Sequence, residues 1–304
     1  MTPQPGREES AKVPPGLRGR RPRLDNAALA DRLREAAALL QQQGADRFRV
    51  AAYRRAADTV AGLDRNLADI LSEQGFEGLT ALPGIGRSIG AALREMLRTG
   101  RWTQLERLRG AGDPEAAFRA IPGVGPKLAR RLHDELQVDA LEGLEMAAHD
   151  GRLEQVPGVG PRRAAMIRAA LAQMLGRGRR ADRAPGKEPP VEALLDVDRE
   201  YRRKAEAGRL ATIAPRRFNP SGEAWLPILH AERDGWNFTA LYSNTALAHD
   251  LGRTHDWVVL YFHRDDQVEG QRTVVTETRG PLTGHRVVRG REGECRRHYE
   301  AAAD

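Results

Sequence analysis

Leu82-Pro-Gly-Ile-Gly86 is the first of three copies of one short pattern, followed by Ile121-Pro-Gly-Val-Gly125 and Val156-Pro-Gly-Val-Gly160. Gly84, Gly123 and Gly158 lie 39 and 35 residues apart, a spacing that fits one helical pair per copy. Proline ends an incoming helix, and the two glycines allow the positive φ and close approach of a tight turn. Each copy is followed by a segment with helical spacing and basic residues. The first N–H groups of such a helix have no partner within it, and they face outward as a ready site for phosphate.

Three copies in register are the pattern of the helix-hairpin-helix, a module that grips nucleic-acid backbone. The bland alternative is three plain helix–helix turns. Candidate contacts are the turn glycines Gly84, Gly86, Gly123, Gly125, Gly158 and Gly160, with Arg87, Lys127, Arg130, Arg162 and Arg163 at the following helix starts. A cation beside free N–H groups complements an incoming phosphate. No helix with base-reading residues is evident, so the reading is of shape and backbone rather than base sequence.

The net charge of +7 is concentrated in two segments. Residues 1–23 carry +4 and residues 176–190 carry +3, so the rest of the chain is neutral. Both segments are rich in Pro, Gly and Arg and are expected to be disordered, adding salt-sensitive attraction to a polyanion. Cys295 stands alone, which excludes an internal disulfide framework and a four-cysteine zinc site. No signal peptide is evident, and no apolar run reaches the roughly 18 residues of a membrane span. A cytoplasmic, nucleoid-associated protein without membrane contact is expected.

The periodicity divides the chain into an all-α amino-terminal half and an α+β carboxy-terminal domain with an antiparallel sheet. The expected parts are a basic tail over 1–23, a helical end-binding domain over 24–110, tandem hairpins over 111–175, a basic linker over 176–190 and the α+β domain over 191–304. Leu29, Leu33, Ala36 and Leu40 form an amphipathic stripe ended near Gly44. Helices are expected over 49–63, 66–73, 87–98 and 191–208. Strands are expected over 225–232, 236–242, 257–263, 272–278 and 285–288, with Asp234-Gly235 as a two-residue hairpin turn. A short helix near 245–251 and a last one from about 293 complete the domain.

Phe48-Arg-Val-Ala-Ala-Tyr-Arg-Arg-Ala-Ala57, Leu82-Pro-Gly-Ile-Gly-Arg-Ser-Ile89, Leu97-Arg-Thr-Gly-Arg101 and Ile121-Pro-Gly-Val-Gly-Pro-Lys127 occur in that order. Over 24–175 the chain thereby resembles the amino-terminal region of family X DNA polymerases, both DNA polymerase beta-like members and bacterial relatives. The resemblance implies a helical domain holding the 5′-phosphate side of a DNA gap, then a hairpin subdomain gripping duplex. It also implies a monovalent cation at the hairpin carbonyls, and no other cofactor. Arg49 and Tyr53 match positions that contact the 5′-phosphate side, with Arg54 and Arg55 beside them; Tyr53 could equally be core.

Two family activities do not carry over. The catalytic Gly-Ser strand and its aspartates are missing; Asp196-Val-Asp198 alone has the Asp-x-Asp form, and both are read as residues of a helix amino terminus. Without two metals to align the reactants, nucleotidyl transfer has no engine. The lysine that forms a Schiff base in eukaryotic members is replaced by Ala92, and its helper by Ser88. Residues 24–110 contain no lysine, and arginine cannot stand in as the nucleophile.

In residues 191–304 no family resemblance is evident. They hold six of the eight histidines. A metal-dependent nuclease built from Glu277 with Asp256 or His263 is one candidate, although polar strand residues usually face water. Arg279 and His285-Arg-Val-Val-Arg-Gly-Arg291 suggest a basic edge for an anion or nucleic acid. The favoured expectation is a structure-specific DNA-binding protein for gapped, nicked or 5′-phosphorylated ends, acting in repair or maintenance and meeting repair proteins through 191–304. A nuclease with its site in 191–304, and an RNA-binding or scaffolding protein, are the alternatives.

Overall fold

A computed structural model of the chain describes residues 24–111, 114–138, 141–174, 188–264 and 269–302. The expected tail over 1–23 and most of the expected linker lie outside the described residues.

Helices α1 (Asn26–Gln42) and α2 (Arg47–Ala61) form an antiparallel pair. Each starts at an aspartate, Asp25 or Asp46, whose carboxylate accepts the N–H of Ala28 or Phe48. The stripe Leu29, Leu33, Ala36 and Leu40 is fully buried. Helix α3 (Leu67–Thr80) kinks at Gly75, where φ is +67°, so the expected stop there is a bend rather than an end. Helix α4 (Arg87–Thr99) closes on left-handed Gly100. Then follow α5 (Thr103–Leu108), α6 (Pro114–Phe118), α7 (Pro126–Leu136), α8 (Leu141–His149), a 3₁₀ turn (Leu153–Gln155) and α9 (Pro161–Met174).

Helix α10 (Val191–Glu206) leads into the sheet: β1 (Ala211–Ile213), β2 (Leu226–Arg233), β3 (Trp236–Tyr242), β4 (Val258–His263), β5 (Gly270–Thr276) and β6 (Arg286–Val288). Helix α11 (Ala246–Asp250) interrupts β3 and β4, and α12 (Glu292–Ala301) follows β6. The strands form one antiparallel meander in sequence order. Asp234 and Gly235 both take positive φ, +51° and +73°, as a tight hairpin turn demands. Strand β1 is not among the strands expected from the sequence; three residues at an edge make too short a pattern to recognise.

One face of the sheet packs on α10. The Tyr201 hydroxyl accepts the Tyr242 N–H at 2.8 Å and donates to the Pro227 carbonyl at 3.0 Å. The other face is polar yet also covered. Register aligns His230, Thr239, Tyr261 and Gln271 as one row across β2 to β5. His230 bonds Gln43, Thr239 meets Arg49, Tyr261 lies under Arg107, and Gln271 donates to the Gln137 carbonyl. These polar strand residues therefore meet the helical half, not water. The buried apolar residues form two clusters. The first joins α1 to α5 with α10 and the sheet, while the second is the tandem of hairpins alone.

Candidate nucleic-acid interface

Each repeat folds as its pattern demands: the aliphatic residues point in and the glycines point out. Ile85, Val124 and Val159 are buried, whereas Gly84, Gly86, Gly123, Gly125, Gly158 and Gly160 are exposed. Gly84, Gly123 and Gly158 take φ of +71°, +78° and +85°. Each turn is closed by one bond across it: Ile85 N–H to Leu82 O, Val124 to Ile121 and Val159 to Val156. Gly86 and Gly125 cap α4 and α7 without any side-chain acceptor, so the leading N–H groups of these helices stay open to an outside acceptor.

The second and third hairpins clasp each other. Gly123 sits against the Met166 side chain of α9, and Arg131 of α7 donates to Pro157 O at 2.6 Å across the third tip. Arg163 donates to Gly158 O at 2.6 Å on the same tip. Two guanidiniums thus already bring positive charge to those carbonyls, and a monovalent cation does not fit there. At the first tip, Thr59 donates its hydroxyl to Pro83 O. Arg131 is not among the contacts expected from the sequence; its only signal there is its place beside Arg130.

Lys127 and Arg162 are exposed and take no intramolecular partner among the described residues. Arg130 is exposed, with Glu115 3.6 Å away. Arg87 is half-buried beside Phe76, 3.7 Å from Glu77. Arg54 and Arg55 are exposed, and Arg55 adjoins the first tip at Gly84.

Arg49 and Tyr53 are placed otherwise. They lie one turn apart on α2, 7% and 2% exposed, under the polar face of the sheet. Tyr53 donates to Gln104 Oε1 at 2.9 Å, and Arg49 Nη1 reaches Phe238 O and Thr239 Oγ1. In this arrangement neither can meet an external phosphate. The cause is the sheet, which buries this side of α2 in one continuous core.

Three further expectations for the carboxy-terminal domain are corrected. Asp256 precedes β4 and His263 ends it, so a strand length separates them. Asp256 binds Arg286 and the Thr276 hydroxyl, and Glu277 binds Arg289, which holds its carboxyl below the usual range. No group of three His, Cys, Asp or Glu among the described residues is placed to hold a metal. Most of the basic edge is likewise engaged: Arg286 pairs with Asp198 and Asp256, Arg289 with Glu277, and Arg291 with Glu294, while Arg279 stays exposed. Asp196 and Asp198 lie inside α10 rather than at its start, held by Arg233 and Arg286 instead of the helix dipole.

The comparisons agree with this geometry. Residues 24–102 match the model of a helix-hairpin-helix domain, and residues 76–139 and 116–173 match that of a SAM-like helix-hairpin-helix tandem. Residues 24–173 are thus a helix-hairpin-helix region, similar to that of family X polymerases. The chain is 27% identical over 169 residues to the DNA polymerase/3′-5′ exonuclease PolX of Bacillus subtilis (strain 168). The match covers 54% of this chain and 26% of that protein. No helix among the described residues is long and apolar enough to cross a membrane.

Proposed function

We propose that the chain is a structure-specific, sequence-independent DNA-binding protein that recognises gapped, nicked or 5′-phosphorylated ends in repair or DNA maintenance. The observation that carries this reading is the set of three exposed Pro-Gly-x-Gly tips, two opening on helices with uncapped N–H groups, with Lys127, Arg130 and Arg162 exposed beside the second and third. Those groups can accept phosphate from two directions without contacting a base. The tandem serves as the duplex clamp. Recognition of the 5′-phosphate falls to Arg54 and Arg55 beside the first tip, because Arg49 and Tyr53 are covered.

Chemistry of the family kind is not part of the reading. Ala92 is a buried alanine where the Schiff-base lysine would stand, and Asp196 and Asp198 are tied into ion pairs. Residues 191–304 act instead as a scaffold for the helical half and a surface for repair partners.

Fluorescence anisotropy on a one-nucleotide gapped duplex, with and without its 5′-phosphate, tests this against intact duplex. The phosphorylated gap is expected to bind tightest, and Arg54→Ala with Arg55→Ala to erase that preference while keeping duplex binding. Equal affinity for all three DNAs would contradict end recognition. RNA competing as well as gapped DNA would move the assignment to an RNA-binding role.

A further inference from the structure

The loop between β1 and β2 holds a phenylalanine in a conformation that such side chains avoid. Phe218 has φ +51°, in the left-handed region, where a bulky residue is an outlier. Core burial does not offset the strain, because Phe218 is 47% exposed. Bonds on either side hold it there: the Arg216 N–H donates to Gly110 O at 2.8 Å, and Asn244 Nδ2 donates to Arg217 O at 3.0 Å. Strain of this kind persists only where the surroundings over-determine it, and it clusters at ligand sites.

The ring is already half of a stack. The His249 imidazole lies 4.2 Å from it, centre to centre, at an interplanar angle of 33°. His249 Nε2 donates to Asn244 Oδ1 at 2.6 Å, which fixes that imidazole in place. Burial pushes His249 below its ordinary range, so it packs as a neutral ring. The Arg217 guanidinium carbon is 5.3 Å from the centre of the Phe218 ring. An exposed aromatic ring beside arginine is the combination that binds nucleobases by stacking, since every base has a π-face.

The place of the loop says which strand can reach it. Helix α7 carries Lys127, Arg130 and His133 three residues apart, about 4.5 Å per step along its axis. Arg217 donates to His133 Nδ1 at 3.0 Å, and its Nη2 lies 2.9 Å from Glu115 Oε1. Arg130 Nε is 3.6 Å from that same oxygen. The row that starts at the second hairpin tip therefore continues into the loop. Arg216, exposed and without a side-chain partner among the described residues, extends it. A protein partner for the ring would call for an apolar surround, whereas a row of cations calls for a polyanion.

We propose that Phe218 is a stacking platform for an unpaired base of the DNA strand held by the tandem, with Arg216 on the phosphate beside that base. Arg217 and His249 hold the ring in position. This rests on the reading of the tandem as the DNA clamp, and it gives the clamp a means to tell unpaired DNA from intact duplex. In duplex each base is covered by its neighbours and offers no free face. Stacking tolerates any base, as sequence-independent binding requires.

The test is fluorescence anisotropy of the full chain on three DNAs: a blunt duplex, the same duplex with a single-stranded overhang, and that overhang with abasic sites in place of its bases. The overhang with bases is expected to bind tightest, and the abasic overhang to fall back toward the blunt duplex. Phe218→Ala is expected to weaken the overhang with bases by about tenfold and to leave the blunt duplex unchanged. Phe218→Trp, which keeps an aromatic face, is expected to retain the preference. Phe218→Gly is expected to lose the preference without lowering Tm, because glycine takes positive φ freely. A lowered Tm there would make the ring a structural anchor and overturn the proposal. Equal binding of the two overhangs, with tight binding of the blunt duplex, would overturn this proposal alone. Failure of the wild type to bind any of the three would overturn the clamp reading as well. Lys127→Glu with Arg162→Glu is expected to weaken all three DNAs and keep the ratio between the overhangs.

Discussion

The first hairpin and the tandem that follows share one motif but differ in what their basic faces meet. In the tandem, Lys127, Arg130, Arg131, Arg162 and Arg163 all point outward, and its core is closed within 118–174. Around the first hairpin, α2 turns Arg54 and Arg55 outward but Arg49 inward, because the sheet shares the core of α1 to α5. A repeated turn therefore fixes the local backbone and not the surface offered to a ligand. That surface depends on which element covers the flanking helix, and here it is a strand about 190 residues away.

The largest effect that can break this comparison is on the separate cores. All four tryptophans lie in or against the first cluster and none in the tandem. Leu132→Ala is expected to cost about 2–5 kcal/mol in the tandem. Helical circular dichroism should then show an early loss while tryptophan fluorescence keeps its unfolding midpoint. A shared early midpoint would show that the two cores unfold as one.

Next in size is the pH response of the covered face. His230 and His263 are neutral when folded, with Arg49 and Arg107 facing them, and both accept protons near pH 6.5 once unfolded. Below that pH the unfolded chain binds more protons, so stability is present above pH 6.5 and is lost as pH falls below it. The slope is about 1.4 kcal/mol per pH unit for each histidine. Urea midpoints at pH 7.5 and 5.5 should show the loss, and His263→Gln should roughly halve it. An unchanged slope would mean His263 is not the buried neutral ring described.

The smallest effect separates two glycines of one tip. Gly123 has φ +78° and a Cβ there would meet Met166 Cε at 2.6 Å, whereas Gly125 is extended with open space around it. Gly123→Ala should cost about 1–2 kcal/mol. Gly125→Ala should cost only a few tenths, as read by thermal unfolding. Equal costs would contradict the turn geometry.

Much of this was legible in the sequence because it rests on local rules. The proline and glycine spacing places the three turns, and strands β2 to β6 fall within two residues of their alternating patterns. The Asp234-Gly235 turn is likewise a matter of two residues. What was not legible depends on long-range cover. Arg49 and Tyr53 share a face of α2 by spacing, but nothing within 24–110 says that β3 lies over it. His230, Thr239 and His263 read as water-facing strand residues because a two-sided sheet cannot be told from a one-sided one by alternation alone. The run from His285 to Arg291 reads as a basic edge, since no local spacing pairs its arginines with Asp198, Asp256 and Glu277, which other elements bring to them.

The most direct test of the account is the salt dependence of duplex DNA affinity in the wild type and in Lys127→Glu with Arg162→Glu. The double variant leaves both cores intact, because the two side chains are exposed and without intramolecular partners among the described residues. Affinity is expected to fall by about tenfold or more at low salt. The slope of log affinity against log salt should become shallower by about one for each phosphate that the variant no longer neutralises. Unchanged affinity and slope would contradict the central claim that the exposed tandem hairpins are the DNA clamp.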